Sequence, residues 1–422
     1  MNNAVFSLAF RSLWARKITA LLTIISIAAA VLLFVAVENL RQGARTSFER
    51  TISDTDVIVG ARSSPINLIL YSVFQIGDPT NNVTWETYQE IKTRSDVAWA
   101  VPISLGDSHK GFRVVGTTPD YFNYYQYADS KSLDFAEGKV FDDLFDVVLG
   151  AQVARELGYD LEEKITLSHG LGGTSFVNHD DQPFSITGIL KPTGTPVDRS
   201  VYVSLGAIEA IHMGWQNGMP TPMSRLKTPD QLRQQDLTPE SITTVFVGAT
   251  SRVRSLGLQR ELNTYKPEPL QAVIPGVALS QLWNVVSVVE RALALVSAFV
   301  IAVGLIGILT SILTSLNERR REMAILRAMG ARGRHIIGLL VSEAALLAFI
   351  GSVLGLTLLY GLLWIFRPFL ESRYNIGALR LWPGHFDIGV VLFVTLSATV
   401  LGLIPAFIAL KRSLSDGLTI RV

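Results

Sequence analysis

No cysteine occurs among the 422 residues. Disulfides, thiolate metal sites, iron–sulfur clusters and cysteine nucleophiles are therefore excluded. Charge is scarce as well. Asp, Glu, Lys and Arg make up 17% of the chain, against about 25% in an ordinary soluble domain. Apolar residues reach 49% and mean hydropathy is +0.34, so part of the chain lies in lipid. No stretch reads G-x-x-x-x-G-K-[ST], the loop that wraps nucleotide phosphates. The chain is thus read as no enzyme by itself, with no cofactor of its own.

The charges that remain are unevenly placed. Residues 41–290 hold 21 Lys and Arg against 29 Asp and Glu, a net of −8, and the rest holds 16 against 7, a net of +9. An acidic soluble domain joined to basic membrane segments fits this division; a nucleic-acid binder does not.

A helical span needs about 20 mostly apolar residues. Four stretches qualify, at 18–37, 292–316, 344–366 and 388–410. The first follows Arg11, Arg16 and Lys17, yet its apolar run passes Ala28-Ala29-Ala30 and continues to Val37. That is longer than the core of a cleaved signal, so it reads as an anchor. Basic residues cluster before span one, between spans two and three, and after span four. By the positive-inside rule those segments and both termini are cytoplasmic, which leaves residues 38–291 and the loop 367–387 outside. An inner (cytoplasmic) membrane location follows. The span centres carry no charge, which argues against an ion-coupled carrier. Gly351 and Gly355 form a small-xxx-small pair suited to close helix packing.

The apolar period continues past the first span. Leu40, Ala44 and Phe48 recur at helical spacing after it, and Leu282, Val286 and Val289 do so before span two. Two stalk helices, 38–54 and 279–291, are expected to touch through these residues. They would carry an α+β domain at 55–278, with a second lobe near 207–268. Strands are expected at 57–59, 112–116, 147–150, 184–190, 201–203 and 244–247, and helices at 152–157, 205–212 and 251–263. The stretch 64–82 contains an uncharged run, 66–76, that holds Ile66, Leu68, Leu70, Tyr71 and Phe74. Such a stretch, if exposed, marks a partner or substrate surface. His169, His179, Asp180 and Asp181 lie in a glycine-rich loop. Their residue types suit zinc, but the spacing matches no compact motif and no metal is assigned.

The cytoplasmic segment 317–335 is the most informative. Glu318, Arg319, Arg320, Arg321, Glu322, Met323, Ile325, Leu326, Arg327 and Met329 are helix formers with an apolar set among charges, and Gly330 suits a helix end. Anchoring alone explains the arginines but not the methionines and the glycine stop. A short amphipathic helix that docks on a partner is expected.

These features together resemble a permease subunit of the ABC transporter superfamily, the mechanotransmission type shared by the macrolide exporter MacB, the lipoprotein-releasing LolC/LolE and the division protein FtsX. Leu8–Leu13 within 1–17 is similar to the family's amphipathic lead-in helix. Gly116-Thr117-Thr118-Pro119-Asp120-Tyr121-Phe122 and the segments 147–154 and 184–190 resemble its periplasmic core domain. Glu318–Gly330 looks like its coupling helix, and Gly402-Leu403-Ile404-Pro405-Ala406 like its closing motif in span four, before the tail 411–422. The resemblance implies a four-helix membrane protein with a large periplasmic α+β domain between helices one and two. It implies two copies of a separate ATPase that binds ATP and Mg, and a second permease copy, as homodimer or heterodimer. Membrane lipid and a periplasmic adaptor, chaperone or binding protein are further expected partners. ATP-driven movement of the outer domains would export, extract or release a lipoprotein, peptide or amphipathic drug. The alternatives are a non-transporting relay to a periplasmic enzyme and, from the histidine loop alone, a zinc-uptake-associated permease.

Overall fold

A computed structural model describes residues 17–128, 130–169, 182–213, 215–216, 219–220, 229–318, 330–374 and 380–415. The described chain divides into two compact units.

The membrane unit is all helical. Helix α1 is Lys17–Glu49. The other long helices follow the outer domain, whose own helices are α2 Pro65–Ser72, α3 Trp85–Lys92, α4 Asp120–Tyr124, α5 Ala151–Leu157, α6 Leu205–His212, α7 Pro229–Arg233 and α8 Arg252–Asn263. Then come α9 Pro275–Glu318, α10 Gly333–Tyr374 and α11 His385–Ser415. Among the described residues, four helices are long and apolar enough to cross a membrane: α1, α9, α10 and α11. Small residues let them close on one another. A Cβ on Gly355 would lie 2.5 Å from the Ala28 carbonyl oxygen, and one on Gly351 would lie 2.8 Å from Ile27 Cβ. So Gly351 and Gly355 do seat α10 against α1. On the next face, Gly402 of α11 lies against Ala344 of α10, where an added Cβ would come to 2.9 Å.

The outer unit is a three-layer sandwich around one sheet. Its principal strands are β1 Val57–Ala61, β2 Val97–His109, β3 Phe112–Thr117, β4 Phe135–Gly138, β5 Asp146–Leu149, β6 Phe184–Leu190, β7 Ser200–Ser204, β8 Thr244–Ala249 and β9 Leu270–Val273. They run in the order β9-β1-β8-β2-β3-β7-β5-β6-β4, with two short strands, Lys164–Ile165 and Ser168–His169, paired alongside. Alternation along each strand divides the core. Ile58, Val101, Val115, Val148, Tyr202 and Phe246 point to one face, beneath α2, α4 and the start of α9. Val57, Val59, Val245 and Val247 point to the other, beneath α3 and α8, and Val114, Val147, Val201 and Val203 lie beside them beneath α5 to α7.

Two expectations are corrected. Residues 207–268 form no separate lobe: β8 lies between β1 and β2 in the common sheet, so this segment is woven through its centre. Within the stretch 64–82 the run from Leu68 to Phe74 is core, not a partner surface. Pro65–Ser72 forms α2, which lies on the sheet, and Val73 and Phe74 follow directly after it. Leu68, Tyr71 and Phe74 are buried in the main cluster, Leu70 is half-buried against it, and Ile66 is half-buried. The following turn is pinned by Arg113, whose guanidinium donates to the Gly77 carbonyl at 2.9 Å and to Asp78 Oδ1 at 2.8 Å. An uncharged run this dense needs a wall to lie on, and here the wall is within the same domain.

Candidate functional site

The candidate functional features of this chain lie along α1 and α9. The two helices have 33 and 44 residues. At 1.5 Å per residue they are about 50 and 66 Å long, against a hydrocarbon layer of about 30 Å. Each therefore runs past its span without a break. Pro275 opens α9 in the first turn, where the missing N–H costs nothing. No proline interrupts α1 or the remainder of α9.

The two helices meet in each unit. In the outer unit the Phe48 ring meets Trp283 edge-on at 5.7 Å and Phe74 at 4.4 Å between centroids. Leu282 packs against the same core and Val286 is half-buried. In the membrane unit Arg41 holds Glu38 at 2.6 Å and Glu290 at 3.5 Å. Two expected stalk contacts are corrected: Leu40 is 45% and Val289 60% exposed. They continue an apolar period, but on the exposed side of their helices. Of Ala44 only the backbone is described. Trp283 was missed; it stands one residue beyond the expected Leu282, and its size was the available signal.

The loop between α10 and α11 is also tied to α1. Asn39 Nδ2 donates to the Arg380 carbonyl at 3.1 Å and Asn39 Oδ1 accepts from the Arg380 amide at 3.2 Å. Phe34 stacks on Phe386 at 5.8 Å. The Tyr360 hydroxyl donates to Asp387 Oδ2 at 2.8 Å, and Asp387 also accepts from the Gly384 amide, which caps α11. Neither Asn39 nor Asp387 was singled out in the sequence, because each is one polar residue at the edge of an apolar run.

Most of the coupling segment lies outside the described residues: Arg319, Arg320, Arg321, Glu322, Met323, Ile325, Leu326, Arg327 and Met329. Its two ends are described. Glu318 closes α9, and Gly330 has φ +94°, a left-handed conformation that favours glycine. Gly333 then opens α10 against Leu410, where an added Cβ would come to 2.7 Å.

His179, Asp180, Asp181 and the His169 side chain lie outside the described residues. Among the described residues no group of three potential metal ligands converges. The other two outer histidines serve structure. His109 uses both ring nitrogens, on the Thr166 carbonyl at 2.6 Å and the Tyr159 hydroxyl at 2.9 Å. His212 places Nδ1 2.9 Å from the Ile208 carbonyl and Nε2 3.4 Å from the buried Asp107 carboxylate. Burial, the largest single effect, lowers its pKa, but the hydrogen bond and charge of Asp107, the Ile208 carbonyl and the charge of Glu209 together outweigh it and hold it above the ordinary value.

Four apolar helices with an α+β domain inserted between the first two define a membrane protein with a large domain outside the membrane. Comparison with known proteins agrees. A family model described as the MacB-like periplasmic core domain matches residues 18–265, more than half of the chain, and one described as the FtsX-like permease C-terminal matches residues 294–417. The chain belongs to this MacB/FtsX-like family of ABC transporter permeases.

Curated relatives include a probable export ATP-binding/permease protein MacB of Pseudomonas entomophila, 29% identical over 121 residues, which is 29% of this chain and 17% of that protein. Another is a probable syringafactin export ATP-binding/permease protein of Pseudomonas syringae, 27% identical over the same shares. The match thus spans about a sixth of those relatives' length. Among solved structures, the periplasmic region of MacB from Actinobacillus actinomycetemcomitans has a TM-score of 0.33 and 11% identity, covering 56% of this chain and 95% of that one.

Proposed function

We propose that the chain is the permease part of an ABC transporter in which ATP turnover by an ATPase partner moves the outer domains and so exports, extracts or releases a hydrophobic or envelope substrate. The observation that carries this reading is the unbroken course of α1 and α9 from span to outer domain. A rigid helix crossing the bilayer converts a tilt inside into a displacement outside. The names of the relatives, which join ATP binding with export permease, support an ATPase partner. These 422 residues contain no G-x-x-x-x-G-K-[ST] loop, and in this reading ATP and Mg bind to the partner. A second permease copy is supported by the apolar outer face of α9, where Val285, Val288 and Val289 are exposed on the stalk.

The segment 318–330 is the docking element for the ATPase, with Met323 and Met329 as groove-fillers and Arg327 and Glu322 as ion-pair partners. Replacing Gly330 with valine puts a β-branched side chain at φ +94° and distorts the end of that element. The test is co-purification from membranes and ATPase stimulation in Gly330→Val and Arg327→Glu. Inserted permease that no longer recruits or stimulates the ATPase is expected. Normal recruitment and stimulation in both variants would remove the assignment.

A further inference from the structure

The two stalk helices join the outer sheet in different ways. Helix α9 is nearly fused to it. Its first residue, Pro275, stands two positions after Val273 of β9. The amides of Val277 and Ala278 both donate to the Ile274 carbonyl, and Ala278 and Leu279 are buried in the core. Helix α1 ends at Glu49, and β1 begins only at Val57. Yet β1 and β9 are paired neighbours, with Ile58 opposite Val273. Both helices thus address one edge of the sheet, the second through a stiff junction and the first through seven residues of irregular chain.

Those seven residues are not loose. Residues 125–128 and 130 grip them. The Ser53 amide donates to the Gln126 carbonyl at 2.9 Å as an isolated bridge, and the Ala128 amide donates to the Arg50 carbonyl at 2.9 Å. The buried Tyr125 hydroxyl donates to the Thr51 carbonyl at 2.6 Å, and the Ser130 hydroxyl donates to Asp54. The chain beyond Ser130 is anchored by Leu133 in the core. The grip is strained. Six non-glycine residues of the described chain have positive φ, and three of them are here: Asp54 at 53°, Ala128 at 40° and Ser130 at 67°. Asp tolerates this conformation through local hydrogen bonds, but Ala has no such compensation. Left-handed backbone in non-glycine residues persists only where surrounding contacts over-determine it, and it collects at switch regions.

From this we infer that residues 125–128 and 130–132 form a releasable clip on the outer end of α1. The inference rests on the transmission reading and deepens it by naming the joint. Closed, the clip passes displacement of α1 to the sheet through Tyr125, Gln126 and Ala128. Open, it lets α1 move against a domain still fused to α9, and the strain at Ala128 and Ser130 is relieved on release.

The experiment is hydrogen exchange on the full chain with its co-expressed ATPase in phospholipid nanodiscs, with and without a non-hydrolysable ATP analogue. The clip predicts at least a tenfold faster exchange of the Ser53 and Ala128 amides with the analogue, and no change at Val277 and Ala278. If the amides of Arg50 and Thr51 respond while Ser53 and Ala128 do not, the clip is refuted and the transmission reading stands. If no amide from 44 to 61 or from 270 to 290 responds, both fall. A second arm uses Ser53→Cys with Gln126→Cys. Bridge partners lie about 4.5–5.5 Å apart at Cα, within disulfide range. The oxidised pair should abolish the analogue-induced exchange and reduction should restore it; persistence of the change in the oxidised protein overturns the clip.

Discussion

Leu68→Ala distinguishes a core α2 from a docking surface. Leu68 is fully buried, and its Cδ1 lies 2.7 Å from where a Cβ on Gly60 would stand, so it rests directly on the backbone of β1. Burial of a leucine is worth about 1.5–3 kcal/mol, and the cavity left in a close-packed site raises the cost of truncation to about 2–5 kcal/mol. The site has little room to relax, because the chain just beyond α2 is held by Arg113 at Gly77 and by Ser200 at Gln75. At about 2–4 °C per kcal/mol for a domain of this size, the outer domain should melt about 6–12 °C lower for a loss near 3 kcal/mol. Ile76→Ala is the control: Ile76 is 56% exposed, and its truncation should cost under about 0.5 kcal/mol. Near-ultraviolet circular dichroism of the full chain in detergent reports the transition. Unchanged melting in Leu68→Ala together with lost function would refute the packing argument and return α2 to the surface.

Three further outcomes are expected. Gly355→Leu should force α10 from α1, since its Cβ would meet the Ala28 carbonyl at 2.5 Å; a loss of about 1–3 kcal/mol should appear as earlier unfolding of the helical unit in detergent, and a neutral result would contradict the seating. The folded pKa of His212 lies above the unfolded value of about 6.5, because Asp107, the Ile208 carbonyl and Glu209 together outweigh burial. The stability it adds is complete below that unfolded value and is lost as pH rises through the folded one, so the melting temperature of the outer domain should fall over that window in the wild type and lose this slope in His212→Asn. Tyr125→Phe removes the donor to Thr51 and leaves a buried carbonyl short of a partner, for a cost of about 1–3 kcal/mol; a thermal melt indistinguishable from wild type would show that water replaces the bond.

Patterning in the sequence exposed much of this architecture. The four spans were visible because twenty apolar residues have no other common use, and β1, β3, β6, β7 and β8 because β-branched runs sat between turn residues. The longest strand, β2, was missed. It contains Pro102, which normally argues against a central strand, yet Pro102 is paired with Val245. Helix α2 was noticed for its composition and misjudged in role, since a dense apolar run looks alike whether it faces a partner or its own sheet. Stalk residues showed the reverse problem. The heptad-like period found both helices, but period alone does not say which side meets protein, so Val289 was placed inward while Trp283 was passed over. Gly351 and Gly355 were legible because small residues four apart have few purposes in lipid. The clip at 125–128 and 130–132 had no signature, being made of backbone hydrogen bonds and left-handed torsions.

The central claim is that α1 and α9 shift against each other when ATP binds to the partner. Spin labels on Leu40→Cys and Val289→Cys report this directly, since both sites are exposed and no native cysteine competes. Electron–electron double resonance on the full chain with its ATPase in nanodiscs should give a distance distribution that moves, beyond the spread of label rotamers, on adding a non-hydrolysable ATP analogue. The same distribution with and without the analogue, in a complex shown to bind it, would contradict the account.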